Sequence, residues 1–323
     1  MITRSLALLG GPGSGKTTYL GALVDALESE RLPGISMSGA AIDTQPQQLL
    51  VDPLLNGRYF QQPSTDERLA LPLRYALPDG DPQPFVLSVG DYDGEAIERL
   101  FNNRIDGWSD EWRVRAEASA FLLMLRPGAI EPLPLLGRAP RGEPPPARER
   151  ERFGSSPSSV FGPGIVDAEI PARRVVRPDE SIRIPIPTVV GLVELLQFIR
   201  HARNLAPGER PPLGELRVAV VLSAWDALDE RWQARRPAEY ARAHASLLVD
   251  FLASNFRADD MMMFGLSATG GDLRDEAHRE HYLEHPGGYV TWADATGQVQ
   301  TTSDLALPIR WALFGDAAMR HDP

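Results

Sequence analysis

The chain carries a single lysine, Lys16, among 33 Lys and Arg residues, and it stands in the run GGPGSGKTT, Gly10 to Thr18. Ahead of that run lies Ser5 to Leu9, an apolar stretch suited to a buried parallel strand. Behind it, Leu20, Leu23, Val24 and Leu27 recur at i, i+3, i+4 and i+7, which predicts an amphipathic helix over Thr17 to Glu30. Strand, glycine-rich loop and helix in that order leave few folds open. The loop matches G-x-x-x-x-G-K-[ST], whose backbone N–H groups cradle phosphates at a helix N-terminus. A chance glycine turn is the competing reading, and the flanking strand and helix argue against it. Arginine supplies every other basic side chain, but a planar guanidinium fork does not suit the gap between two phosphates, whereas a compact ammonium on a flexible stem does.

Composition narrows the rest. A chain of 323 residues with 43% apolar content holds one large or two small domains with a sizeable core. It has no cysteine, which excludes disulfides, thiolate metal sites and thiol catalysis, and fits a cytoplasmic location. No secretory apolar region precedes the glycine loop, and no apolar run approaches the ~20 residues needed to span a bilayer. A net charge of −11 argues against broad binding to nucleic acid or anionic membranes. The partners expected are a nucleotide and a protein, with no nucleic acid and no membrane span.

Further along, Arg68 to Leu77 ends in the turn signal PDGD before a second apolar run, Phe85 to Val89, and the two predict a hairpin. A helix is expected over Gly94 to Asn103 and a buried strand over Ala118 to Leu125. Composition then shifts: residues 126–187 hold thirteen of the 29 prolines and ten arginines. Such a segment cannot bury enough apolar surface to offset its ordering entropy. It is expected to be largely disordered, with an edge hairpin conceivable over Val175 to Ile186. It is either a tolerated surface insertion or a docking arm for a partner. The α/β pattern resumes with a helix around Leu192 to Ile199, a strand over Val218 to Leu222, a helix over Tyr240 to Leu252, a strand over Met261 to Leu266 and a closing helix over Leu305 to Phe314, with Pro308 in its first turn. The organisation expected is one domain in two parts, 1–130 and 188–317, interrupted by the insert at 131–187. The fold class expected is α/β: a P-loop NTPase three-layer sandwich, with a mostly parallel sheet, helices on both faces and one long Pro/Arg-rich insert.

Four elements carry chemistry, each at the end of an expected strand, where open α/β sheets bind ligands. In the first, Gly10, Gly11, Pro12, Gly13, Ser14, Gly15, Lys16, Thr17 and Thr18 would surround the phosphates; Lys16 would neutralise the β and γ oxygens and the Thr17 hydroxyl would bind Mg2+. The second is FVLSVGDYDGE, Phe85 to Glu95, in which Asp91 is placed to hold Mg2+ and Gly94 to offer its N–H to the γ-phosphate. A plain strand-to-turn is its bland counterpart. The third is VVLSAWD, ending at Asp226, an aspartate that either reads a base or caps the next turn. The fourth is Ser267-Ala268-Thr269 in FGLSATGG.

In that order GGPGSGKTT, DYDG, SAWD and SAT resemble the GTPases of the translation-factor-related (TRAFAC) class, and among them the bacterial double-GTPase-type proteins of multi-protein conflict or defence systems. The resemblance covers most of the chain outside the insert. It implies a Mg2+-dependent GTP/GDP switch that works with a partner protein, through its switch loops or the insert. Asp226 would then accept two hydrogen bonds from the guanine N1–H and amine, and Ser267 and Ala268 would face the guanine carbonyl. Ser223 and Ala224 depart from the Asn/Thr and Lys usual there. The class also needs a switch threonine on Mg2+ and the γ-phosphate; Thr65 is the first choice and Thr44 the second. Glu95 stands where many GTPases use Gln to orient the attacking water. A carboxylate there implies slow hydrolysis awaiting a partner's group, or else an acid that merely starts a helix.

Two rival functions stand beside the GTPase: an ATPase or P-loop kinase, which Ser223 and Ala224 keep open, and a nucleotide-loaded scaffold with little turnover. His278, His281 and His285 are spaced for one side of a solvated helix rather than for a metal. Met261 to Met263 reads as strand core.

Overall fold

Strands that are apolar on both faces need cover on both sides, and this chain supplies helices for each. The computed structural model describes residues 4–11, 13–37, 45–60, 68–76, 83–90, 110–130 and 187–320. In chain order its strands are β1 (Arg4–Gly10), β2 (Ile35–Met37), β3 (Arg68–Tyr75), β4 (Gln83–Gly90), β5 (Ala120–Leu125), β6 (Arg217–Ser223), β7 (Met261–Ser267), β8 (Tyr289–Ala293) and β9 (Val299–Thr302). Its helices are α1 (Lys16–Glu28), α2 (Gln45–Leu55), α3 (Asp110–Ala116), α4 (Thr188–Ala202), α5 (Glu230–Gln233), α6 (Pro237–His244), α7 (Ser246–Asn255), α8 (Glu276–Glu284) and α9 (Leu307–Phe314).

Among the described residues nine strands join one sheet in the order β2-β3-β4-β1-β5-β6-β7-β8-β9. The centre, β4 through β7, is parallel, with Leu8 of β1 beside Val89 of β4 and Leu122 of β5. Both margins are antiparallel: β2 and β3 on one side, β8 and β9 on the other. Alternation in the central strands splits the interior into two cores. Leu6, Leu8, Leu122 and Val221 face the core built with α1, α2 and α9, while Ala7, Leu9, Phe121 and Val220 face the one built with α3, α4, α6 and α7. The architecture is a three-layer sandwich with a mostly parallel sheet, and residues on both sides of 131–186 contribute adjacent strands, β5 and β6. The 131–186 stretch lies outside the described residues. Among the described residues no helix is long and apolar enough to cross a membrane.

Local chemistry explains the margins. Pro72 sits in β3 opposite Val86 of β4, and among the described residues β2 pairs with Leu73 to Tyr75 but not with Pro72, a place in the sheet where a residue without an N–H is tolerated. Helix α2 lies against α1 at Gly21, where a Cβ would stand 2.4 Å from the Leu50 carbonyl oxygen. No larger residue allows that approach. The Tyr19 phenol of α1 donates to the Leu305 carbonyl at 2.9 Å, tying α1 to the segment that leads into α9.

Most expected elements are present, with boundary shifts of a few residues. Helix α2 lies between β2 and β3, with Leu54 buried and Leu55 exposed. One expectation fails: a single helix over Tyr240 to Leu252 is broken at Ala245, whose φ of −130° and ψ of 40° end α6 and begin α7. The two pieces serve different neighbours, α6 packing on β7 and α7 on α4, and one straight rod cannot follow both. The short β2, helix α5 and the β8–β9 hairpin were not anticipated. The hairpin turns at Asp294, whose carboxylate accepts from Thr296, Gln298 and Gln300, with Gly297 at φ 81°. Those hydrogen bonds hold the Asp294 carboxyl well below the usual carboxylate range, at about 2.

Candidate nucleotide site

At the end of β1 the backbone turns sharply, and each glycine of the loop answers a separate steric demand. A Cβ on Gly10 would stand 2.6 Å from Ser14 Oγ and 2.7 Å from the Met124 carbonyl oxygen. Gly13 and Gly15 hold φ of 63° and 85°, the left-handed region that favours glycine. Among the described residues nothing stands within 4 Å of where a Cβ on Gly13 would be, and the Ser223 side chain approaches Gly15, where an added Cβ would meet it at 3.3 Å. Within the turn Lys16 is buried, and its ammonium donates to the carbonyls of Gly10 at 2.8 Å and Gly11 at 3.1 Å and to Ser14 Oγ at 3.3 Å. Helix α1 then starts with no side-chain cap and no acid in its first turn. A helix start with no acid in its own first turn suits an anion at that end.

Thr188, the first residue of α4, lies against this loop: its Cγ2 is 3.1 Å from where a Cβ on Gly11 would be. The sequence offered no signal for that contact. Thr17 and Thr18 are half-buried in the first turn of α1. Strand β4 ends at Gly90, on the same edge of the sheet as Gly10, since Leu8 pairs with Val89. Pro12, Thr44, Thr65, Asp91, Gly94 and Glu95 lie outside the described residues, as does the helix expected over 94–103.

On the other side of the loop, β6 ends at Ser223 and enters a 3-10 turn over Trp225–Ala227. Ala224 opens that turn at φ 48°, a strained conformation for a residue with a Cβ. Trp225 is fully buried, its indole stacked so closely on Gly265 of β7 that a Cβ there would lie 2.5 Å from the ring. Asp226 is left half-exposed, and Gln233 of α5 steadies its turn by donating to the Asp226 carbonyl at 3.0 Å and the Leu228 carbonyl at 2.5 Å.

Strand β7 ends at Ser267, which is fully buried and whose hydroxyl finds no hydrogen-bond partner among the described residues. The Thr269 hydroxyl donates to the Gly271 carbonyl at 2.7 Å, and His278 Nε2 lies 2.9 Å from the Thr269 carbonyl oxygen. Gly288 passes so close that a Cβ would stand 2.2 Å from the Ser267 carbonyl oxygen. Its neighbour Tyr289 pairs with Ser267 across the β7–β8 ladder. Burial, and then the negative charge of Asp226, push the Tyr289 phenol up to about 12. Asp226, Ser267 and Tyr289 thus belong to one neighbourhood that three separate segments build.

The histidine trio does not form one helical face. His285 falls beyond the end of α8 and stacks on His281 at 5.2 Å between ring centroids, while His278 turns to the Thr269 carbonyl instead of solvent. The fold therefore gathers Gly10, Gly11, Gly13 to Thr18, Ser223 to Asp226 and Ser267 to Thr269 at the C-terminal edge of β1, β6 and β7.

The sequence matches the Double-GTPase 1 family over residues 7–312, nearly the whole chain and every element just described. The chain belongs to the Double-GTPase 1 family. Two solved structures are similar to this family member. One is the bacterial selenocysteine-specific elongation factor EF-Sec, at 14% identity and a TM-score of 0.30, covering 90% of this chain and 34% of its own. The other is the Ski7 GTPase-like domain of S. cerevisiae, bound to GDP and inorganic phosphate, at 12% identity and a TM-score of 0.39, covering 94% of this chain and 58% of its own. The double-GTPase chain thus spans about a third of the first and under two thirds of the second. No curated protein matches it.

Proposed function

We propose that this protein binds GTP with Mg2+, hydrolyses it to GDP and phosphate, and acts as a switch read by a partner protein. The observation that carries the reading is the Lys16 ammonium held in a glycine turn whose helix has no acidic residue in its first turn. A tri- or diphosphate fits there for three reasons. No acid stands in the first turn of α1, Gly13 and Gly15 let the backbone wrap an anion, and Lys16 brings a positive charge to the helix start.

In this reading Gly10 to Thr18 hold the phosphates, and Asp226 accepts the guanine N1–H and amine while Ser267 and Ala268 offer backbone N–H to its carbonyl. Mg2+ would be held by the Thr17 hydroxyl with Asp91 and Thr65, and would neutralise charge on the β- and γ-phosphates. Gly94 would donate to the γ-phosphate. Glu95 beside the γ-phosphate repels the charge it must approach, so turnover of the isolated protein is expected to be slow and to rise when a partner supplies a cation. The insert at 131–187 divides the GTPase domain, 1–130 and 188–317, and offers one surface for such a partner.

Membership in a GTPase family supports guanine over adenine. The test is direct: mant-GDP and mant-ADP affinities of the purified protein, followed by single-turnover phosphate release from GTP. A tighter mant-GDP complex and slow release are expected. Equal affinities would return the ATPase reading, and release absent even with Mg2+ and candidate partners would leave a nucleotide-loaded scaffold. Rapid release that Glu95→Ala abolishes would overturn the partner-controlled part alone.

A further inference from the structure

Two side chains from distant parts of the chain brace the turn that follows β7. Tyr59, in the stretch after α2, accepts the Leu273 N–H at 3.0 Å, and its hydroxyl faces Asp272 Oδ1 at 3.2 Å and the Gly271 carbonyl oxygen at 3.4 Å. From the other side the His278 ring reaches the Thr269 carbonyl and fills the space a Cβ on Gly271 would need, 2.7 Å away. Arg274 completes the Tyr59 side, with Nε 3.1 Å from Asp272 Oδ1 and its guanidinium 6.0 Å from the Tyr59 ring centre. Burial pushes the Tyr59 phenol above its ordinary value, so it keeps the proton it donates. Tyr59 and Leu273 are 214 residues apart, and no local turn chemistry substitutes for their bond.

We propose that Tyr59 is a positioning residue for base recognition: it holds the turn after β7 so that the backbone N–H groups at Ser267 and Ala268 face the guanine carbonyl. The proposal rests on the guanine reading above. Tyr59 bonds this turn at Gly271 to Leu273 and meets the Thr269 side chain, two residues past Ser267. Removing its hydroxyl should therefore redirect the carbonyl-facing N–H groups while leaving Lys16 and Asp226 in place. The effect would fall on one edge of the base.

The experiment compares GDP, inosine diphosphate and 6-thioguanosine diphosphate on the full chain by titration calorimetry. Inosine lacks the amine that Asp226 would read; the thio analogue keeps it but exchanges the carbonyl oxygen for a larger, weaker acceptor. The wild type should favour GDP over both. Tyr59→Phe should narrow the GDP to thio-GDP ratio roughly threefold or more, the scale of one neutral hydrogen bond, and leave the GDP to inosine ratio unchanged. Thr269→Val, which removes the hydroxyl that bonds the Gly271 carbonyl and meets the Tyr59 phenol, should do the same, and it carries the test if Tyr59→Phe does not fold. Equal weakening of all three nucleotides, or ratios unchanged in both variants, would overturn the proposal. A wild type that fails to discriminate at all would overturn the guanine reading, and the proposal with it.

Discussion

At the phosphate end of the proposed site, Lys16 bonds Gly10, Gly11 and Ser14, all within six residues of itself in one contiguous run. At the base end, Ser223 to Asp226, Ser267 to Thr269, Tyr289 and Tyr59 come from four segments, joined by contacts that span as many as 214 residues. The first end is a local turn made by its glycines and one helix start, with Met124, Thr188 and Ser223 packed against it. The second exists only when β6, β7, β8 and the stretch after α2 have packed. Damage at the phosphate end should therefore strike every nucleotide alike, whereas damage at the base end should strike selectivity and track the packing beneath it.

The largest effect should follow Lys16→Met. It removes charge-assisted bonds to phosphate of about 1.5–3 kcal/mol each, so GDP and ADP should both bind about a hundredfold more weakly, with their ratio preserved. A change in that ratio, read by calorimetry, would show that the two ends are not separable. Next, Asp226→Ala should lower GDP affinity about ten- to a hundredfold and leave ADP affinity nearly unchanged. GDP preference surviving this substitution would remove Asp226 from the base site.

Gly265→Ala sharpens the packing half of the comparison. Its methyl would stand 2.5 Å from the Trp225 ring, and overpacking of this kind costs about 1–3 kcal/mol in urea unfolding. Because Trp225 directly precedes Asp226, GDP affinity should fall while pyrophosphate affinity holds. Loss of both would mean that the ends share one framework. The smallest effect is expected from Ala224→Gly, which relieves the φ of 48° but adds freedom to the unfolded chain. Net stability should rise by about 0.5 kcal/mol in urea unfolding, with nucleotide affinity unchanged.

Strands β1, β5 and β6 were legible because each is a short run of Leu, Val, Ala or Phe buried on both faces, a pattern that few other contexts produce. Asp226, three residues past the end of β6, and Ser267, at the end of β7, were legible because each follows an apolar run that reads as a strand. The margins were not: β2 is three residues long, and β9 is mostly exposed Val, Gln and Thr, so neither carries the apolar signature of a strand. Helix α6 could not be told from α7 by periodicity, since Ala241, Ala245, Leu248 and Leu252 keep helical spacing straight through the break at Ala245. His278 looked like one of three solvated imidazoles because its partner, the Thr269 carbonyl, is a backbone atom and leaves no mark in side-chain spacing.

The sequence by itself determined the phosphate turn, since glycine's freedom at positive φ and lysine's reach act within a few residues and need no distant partner. It also determined the order of the parallel strands' chemistry, because apolar runs dictate burial and strand ends dictate loops. Only the tertiary structure decided which residues support the base end. Tyr59, Gly265, Gly288 and Tyr289 matter through what packs against them, and a chain shows its neighbours along the sequence, not across the fold.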